Sequence, residues 1–280
     1  MNKLELQEKI EVEYRSGSIT SKTERLVRSF LELLDSGQIR AAEIDHTTES
    51  GWRVCTWVKE GILLAFRTGK VTEIRLGSNN IFFDKHNLPP KSLKIGSGIR
   101  LVPGGSSIRK GAFVASGVVI MPPTYVNIGA YVDSGTMLDS HTLVGSCAQI
   151  GRHVHLSAGA QIGGVLEPVG QLPVIIEDEV MIGGNSGIYE GTVVKRRAVI
   201  AAGCIITGST PVYDLVRKKV YRKDENKPLI IPEGAVVVPG SRRTSNSFGN
   251  VNGISLYTPV IVKYRDERTD AATVLESALR

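Results

Sequence analysis

Apolar positions in the middle of this chain follow a six-residue rhythm. Every sixth residue from Ile108 is aliphatic: Ile108, Val114, Ile120, Val126, Val132, Leu138, Val144, Ile150, Leu156 and Ile162. The rhythm first breaks between Ile162 and Ile176. It then resumes at Ile176, Ile182, Ile188, Val194, Ile200, Ile206 and Val212, and a last pair stands at Ile231 and Val237. A helix repeats at 3.6 residues and a strand at 2, so neither explains this spacing. A period of six predicts a short strand and a turn, three to a coil, with the coils stacked as a parallel β-helix. The third residue after the aliphatic one is often glycine, as at Gly111, Gly117, Gly129, Gly135, Gly159, Gly191 and Gly203. Glycine accepts the positive φ that a sharp corner needs. The next residue is usually small or β-branched, which suits the inside of a narrow prism.

Outside the repeat the pattern changes. Residues 1–98 read as a mainly helical domain. Ser21 and Glu24 have capping-box spacing, and Leu26, Val27, Phe30, Leu31, Leu33 and Leu34 follow as an apolar face before Gly37. A second helix is predicted within 52–69, then a short extended piece around Ile74 to Phe82 and a linker rich in Pro and Gly at 89–98. The β-helix domain is placed at 99–254, with the hexads between about 106 and 241. Two excursions interrupt it. The first, at 163–173, reads as one hexad widened by two positions, which makes Ile188 the thirteenth hexad after Ile108 and puts it eight beyond Leu138. The second, at 213–230, reads as a mobile basic loop holding Arg217, Lys218, Lys219, Arg222, Lys223 and Lys227. Residues 255–280 leave the repeat as a strand and a short helix that would cover the exposed top edge of the stack.

Composition narrows the classes. A hydrophobic content of 41% supports a substantial core, and the net charge of +6 is spread along the chain without a long basic tract. That favours acidic small ligands over nucleic acid. No apolar run approaches the ~18 residues of a membrane helix. Cys55, Cys147 and Cys204 are odd in number and far apart, with no disulfide or zinc framework. Together with a charged N-terminus lacking a signal-peptide core, they point to a reducing cytoplasm.

Lattice residues are structural, so chemistry belongs on outward positions, loops or contacts between copies. The hexads are similar to those of the hexapeptide-repeat acyltransferases, which implies a left-handed coil. Residues 125–151 (YVNIGAYVDSGTMLDSHTLVGSCAQIG) and 163–168 (GGVLEP) go further and closely resemble the tetrahydrodipicolinate N-succinyltransferase family, as do 99–104, 109–122 and 255–263. The resemblance implies a homotrimeric enzyme of lysine and diaminopimelate biosynthesis that moves a succinyl group from succinyl-CoA to the amino group of ring-opened tetrahydrodipicolinate. By motif it makes Arg100 and Asp139 substrate-binding residues, and Asp139 and Glu190 the candidate catalytic acids. CoA enters as a cosubstrate, with no permanently bound cofactor and no metal. Lys218, Lys219 and Arg242 are the candidate cofactor contacts. His141 stands where many relatives have Trp, and the 242–253 segment departs from the family pattern.

The chemistry is coherent from the residues upward. An amine attacking a thioester must lose a proton, so a carboxylate within reach is useful. An arginine can clamp a carboxylate of either substrate bidentately. Against this, Asp139 occupies the second place of its hexad, where a carboxylate often only caps backbone amides. Three alternatives stay open: another acyl-CoA transferase on this scaffold, a non-catalytic scaffold, and a zinc lyase resembling the β-helical carbonic anhydrases, with His141, His153 and His155 as the ligands to consider.

Overall fold

The computed structural model describes residues 2–76, 80–225 and 227–266. Its central part is a left-handed parallel β-helix of two-residue strands. Each lattice aliphatic points inward and is buried, from Ile108 through Ile206 and again at Ile231 and Val237. The strands form three sheets, the sides of the prism. One runs through 107–108, 125–126, 143–144, 161–162, 187–188 and 205–206, and is called here the open face. The next, the covered face, runs through 113–114, 131–132, 149–150, 175–176, 193–194 and 230–231. The third begins at 100–101, continues through 119–120, 137–138, 155–156, 181–182 and 199–200, and is called the arginine face. Like stacks on like in these ladders: Ile120 on Leu138, Leu138 on Leu156, Leu156 on Ile182.

The corners carry the glycine signal. Gly111, Gly117, Gly129, Gly135, Gly159 and Gly203 all have φ between 68° and 84°. The same place in other hexads is taken by His141, Cys147, His153, Glu179, Asn185 and Arg197 at φ 53–69°. The lattice therefore holds ordinary side chains in left-handed backbone wherever the corner demands it.

The ladder corrects the arithmetic of the first excursion. Ile176 pairs with Ile150 on the covered face, and Ile162 ends the preceding strand of the open face. The step from Ile162 to Ile176 is thus one side of the prism lengthened by a loop, and it counts as a single hexad. Ile188 pairs with Ile162 on the open face and lies seven hexads beyond Leu138, where eight were expected. The second excursion begins as a hairpin, in which 212–214 pairs antiparallel with 219–221. Val212 is buried in the core, yet its strand leaves the prism and lies parallel to the strand Ser255–Tyr264; Ile231 takes the lattice place over Val194. Asp214 fastens this hairpin by accepting the Val216 and Arg217 N–H groups and the Tyr264 hydroxyl. The C-terminal strand runs antiparallel to Ala235–Arg243 and extends the arginine face upward. The helix expected at the C-terminus lies outside the described residues.

The N-terminal part has helices α1 (Lys3–Ser16), α2 (Ser21–Asp35) and α3 (Thr56–Thr68) and two antiparallel pairs, 42–44 with 52–54 and 71–76 with 80–85. The capping box forms one residue earlier than expected. Thr20 is the cap, its hydroxyl accepting the Thr23 N–H while the Thr23 hydroxyl accepts the Thr20 N–H. The helices bury Leu6, Ile10, Phe30, Leu31, Trp57 and Ile62 in one cluster, which Ile128 and Cys147 join from the corner between the open and covered faces. Ala42 and Trp52 pack on Ile175 and Val193 of the covered face. One side of the prism is therefore sealed by the N-terminal part. Among the described residues no helix is long and apolar enough to cross a membrane, and the three cysteines are buried and unbridged.

Gly61 sits in mid-α3, where alanine normally adds about 1 kcal/mol of helix stability. A Cβ there would lie 2.6 Å from the Phe30 ring, whose partner Trp57 fixes it edge-on. Overpacking of this kind costs about 1–3 kcal/mol, so the steric term wins. Gly61→Ala is expected to lower the thermal midpoint; a raised midpoint would show that α2 and α3 are packed less closely.

Candidate active site

Two corners of the prism and one ladder carry the outward chemistry. Arg100, Val119, Met137 and His155 are successive rungs of the arginine face. Arg100 is exposed at its lower end, two strand spacings below Met137, or roughly 9.6 Å. Asp139 follows Leu138 at the corner where the arginine face turns into the open face. The structure thus brings Arg100 and Asp139 onto one side of the prism.

Asp139 combines a backbone cap with a second oxygen that faces a different neighbour. Its Oδ1 accepts the Ser140 N–H at 2.7 Å. Asn127 and Asp133, in the same place of the two preceding hexads, do the same with Ile128 and Ser134. The cap is therefore a property of the corner and says nothing about function. The second oxygen distinguishes the two acids. In Asp133 it faces the Arg152 guanidinium at 3.6 Å, whereas in Asp139 it lies 4.0 Å from the His155 imidazole Nε2. A carboxylate beside an imidazole can hold a proton, pass it on, or orient the ring. The sequence presents His155 only as a possible metal ligand. Its link to Asp139 is nonetheless visible in the spacing. Three hexads close a coil, so His155 stacks on Met137, two positions before Asp139.

Glu190 lies elsewhere, at the corner between the open and covered faces. Its backbone is left-handed (φ 55°) and so is that of Gly191 (φ 73°), two such residues in succession. A non-glycine residue held this way stores strain of about 1–3 kcal/mol and marks a place the surroundings over-determine. Its side chain is exposed and makes no ion pair among the described residues. It opens on a cavity of about 490 Å³ between the two excursions and the N-terminal part, lined among others by Arg53, Gln171, Lys223 and Lys227. Nothing in the sequence sets Lys223 and Lys227 apart from the other bases of the excursion. The two candidates named there, Lys218 and Lys219, stand exposed at the hairpin turn, where Lys219 lies 5.0 Å over the Tyr221 ring. Arg242 sits on the strand Ala235–Arg243 opposite Leu256, with its Nε buried and unpartnered. Asp139 and Glu190 are seven hexads apart, which is two and a third coils or about 11 Å along the axis.

The three histidines considered for zinc do not converge. His141 and His153 occupy different corners, both in left-handed backbone, and His155 stands on the arginine face. Among the described residues no group of three His, Cys, Asp or Glu is placed to hold a metal.

A three-sided coil with a six-residue period, a helical part sealing one face and carboxylates at two corners define a hexapeptide-repeat protein. Family models agree on both parts of the chain. Residues 5–68 match the N-terminal domain of tetrahydrodipicolinate N-succinyltransferase, and 173–208 match the hexapeptide repeat of succinyl-transferase. The 2,3,4,5-tetrahydropyridine-2,6-dicarboxylate N-succinyltransferase of Afipia carboxidovorans is 40% identical over 94% of this chain and 93% of its own length. Its counterpart from Nitrosospira multiformis is 43% identical over 94% and 92%. The chain belongs to the tetrahydrodipicolinate N-succinyltransferase family.

Asp139→Asn separates the cap from the catalytic role expected of this side chain. The amide oxygen can still accept from Ser140, so the thermal midpoint should stay within about 2 °C, a shift of under 1 kcal/mol. Loss of the carboxylate should lower kcat by about 10²–10⁴, the range of general-base catalysis. Loss of less than tenfold would leave Asp139 a structural cap.

Proposed function

We propose that this chain is an N-succinyltransferase that moves the succinyl group of succinyl-CoA to the amino group of ring-opened tetrahydrodipicolinate. The amine attacks the thioester carbonyl carbon. An N–C bond forms, the C–S bond breaks, and the amine proton passes by way of a carboxylate to the departing sulfur, so that CoA leaves as its thiol. A thioester is activated enough that the protein need supply only position, a base and charge complementarity. The observation that carries this reading is identity of about 40% running through both the helical part and the coils, over more than nine-tenths of each chain.

Within it, Arg100 clamps a substrate carboxylate with its fork, and Asp139, backed by His155, takes the amine proton. Glu190 is the second acid. The CoA phosphates are neutralised by the basic excursion, with Lys218 and Lys219 at the hairpin turn, Lys223 and Lys227 by the Glu190 cavity, and Arg242 on the neighbouring strand. The protein works in the cytoplasm as a homotrimer. The open face supports that assembly. It presents Tyr125, Leu143 and Ile205 outward, whereas Ala42 and Trp52 of the N-terminal part pack on the covered face. With three open faces turned to a common axis, the Asp139 corner of one copy adjoins the Glu190 corner of the next. The axial offset then lets the two acids serve different ends of the bound substrates.

A free-thiol release assay tests the reaction. Thiol should appear from succinyl-CoA only when tetrahydrodipicolinate is present, and more slowly from acetyl-CoA. Release that ignores the amine, or that requires a different acceptor, contradicts the reading. In the same assay Arg100→Lys keeps the charge but loses the fork. It should raise KM for the amine substrate at least tenfold and leave that for succinyl-CoA within twofold; equal effects on both would remove Arg100 from the amine site.

A further inference from the structure

We infer that Lys59 is a positioning residue for Glu190: from α3 it fixes the 163–173 excursion, which in turn holds the strained turn that carries the carboxylate. The inference rests on the reading of Glu190 as a catalytic acid.

Lys59 is a fully buried lysine, 0% exposed, on a helix whose other inward residues include Val58, Ile62, Leu64 and Ala65. An ammonium taken out of water costs several kcal/mol unless an opposite charge repays it. No such charge is present: among the described residues Lys59 makes no ion pair. Burial pulls its ammonium down to about 8 against the opposing influence of Cys147. Burial also pushes the Cys147 thiol up to about 12, so that group stays neutral and offers no counter-charge. A methionine would fill this space at lower cost. Stability does not explain why a lysine stands here.

Its hydrogen bond shows what it does. The Nζ donates to the backbone carbonyl of Gln171, in the excursion that lengthens one side of the prism. The side chain of the same residue continues the chain, since the Gln171 Nε2 donates to the carbonyl of Glu190 at 3.3 Å. The next residue, Leu172, presses on the turn as well: a Cβ on Gly191 would lie 2.5 Å from the Leu172 carbonyl oxygen. The excursion is therefore wedged between a buried cation below and the Tyr189–Glu190–Gly191 turn above. Glu190 and Gly191 hold successive left-handed conformations there, and Gln171 is the residue whose backbone meets Lys59 and whose side chain meets Glu190. Removing the lysine leaves the loop tethered by the Gln171 N–H to the Pro168 carbonyl and by Leu172 in the covered-face cluster, but no longer pinned from beneath.

The test compares Lys59→Met, Gln171→Ala, the double variant and Glu190→Gln by thermal melting and steady-state kinetics with succinyl-CoA and tetrahydrodipicolinate. Lys59→Met relieves a buried charge, so its melting midpoint should equal or exceed that of the parent. Its kcat should nonetheless fall at least tenfold, with both KM values within twofold. Gln171→Ala keeps the carbonyl that Lys59 uses and removes only the link to Glu190, so it should lower kcat likewise with an unchanged midpoint. The double variant should be little worse than the worse single, the mark of residues acting through one another. A Lys59→Met protein whose midpoint and kcat fall together has lost a structural residue, which overturns the inference. So does full kcat in Lys59→Met or Gln171→Ala when Glu190→Gln is inactive. Full activity in Glu190→Gln contradicts the reading of Glu190 itself.

Discussion

The interior of the prism admits one aliphatic side chain per side per coil, stacked directly on its counterparts above and below. Every other feature follows from that constraint. A side must be six residues long or it must expel the surplus outward at once, because a slip would turn the stacked aliphatics out of register. The excursions at 163–173 and 213–230 are such surpluses. They leave the stack at the corner between the open and covered faces or just beyond it, and together with the N-terminal part they build the cavity over which Glu190 stands. Corner geometry also selects backbone before it selects chemistry. Left-handed residues occur at the fourth place of hexad after hexad, whether or not glycine is there.

The same constraint separates fold from function on the outward side. Asn127, Asp133 and Asp139 make one and the same cap, so the backbone accounts for the residue type at all three. What differs between the two acids is the neighbour one coil above. For Asp133 it is a guanidinium, which ties the carboxylate down, and for Asp139 an imidazole. A β-helix thus sets the surroundings of a capping side chain through the residue stacked one coil above it. The N-terminal part contributes from the other direction, through a buried lysine that reaches the prism by way of a loop carbonyl.

Much of this was legible in the chain itself. The lattice, its corners, the strand Ser255–Tyr264 and two of the three N-terminal helices follow from period and composition, because few chain geometries place an aliphatic at every sixth residue. The path through the first excursion was not legible. The step from Ile162 to Ile176 fits one lengthened side or two nearly regular ones equally well, and only the pairing of Ile150 with Ile176 decides. Val212 kept the period yet left the prism, since burial against the C-terminal strand satisfies an aliphatic residue as well as stacking does. The Asp139–His155 pair was within reach of arithmetic once a coil is taken as three hexads. The Lys59 link was out of reach: positions 59, 171 and 190 share no period, and a lysine inside an amphipathic helix reads as a solvent-facing residue until its surroundings are known.

In the proposed homotrimer the two acids meet at a seam, with Asp139 supplied by one copy and Glu190 by the next. Subunit complementation tests it most directly. Asp139→Ala and Glu190→Ala are prepared separately, then unfolded, mixed and refolded, with wild type carried through the same steps. Each variant alone should be nearly inactive, and the mixture should recover a substantial fraction of wild-type activity, because some mixed trimers contain a seam with both acids intact. A mixture as inactive as its parents, beside wild type that survives refolding, would contradict the shared site.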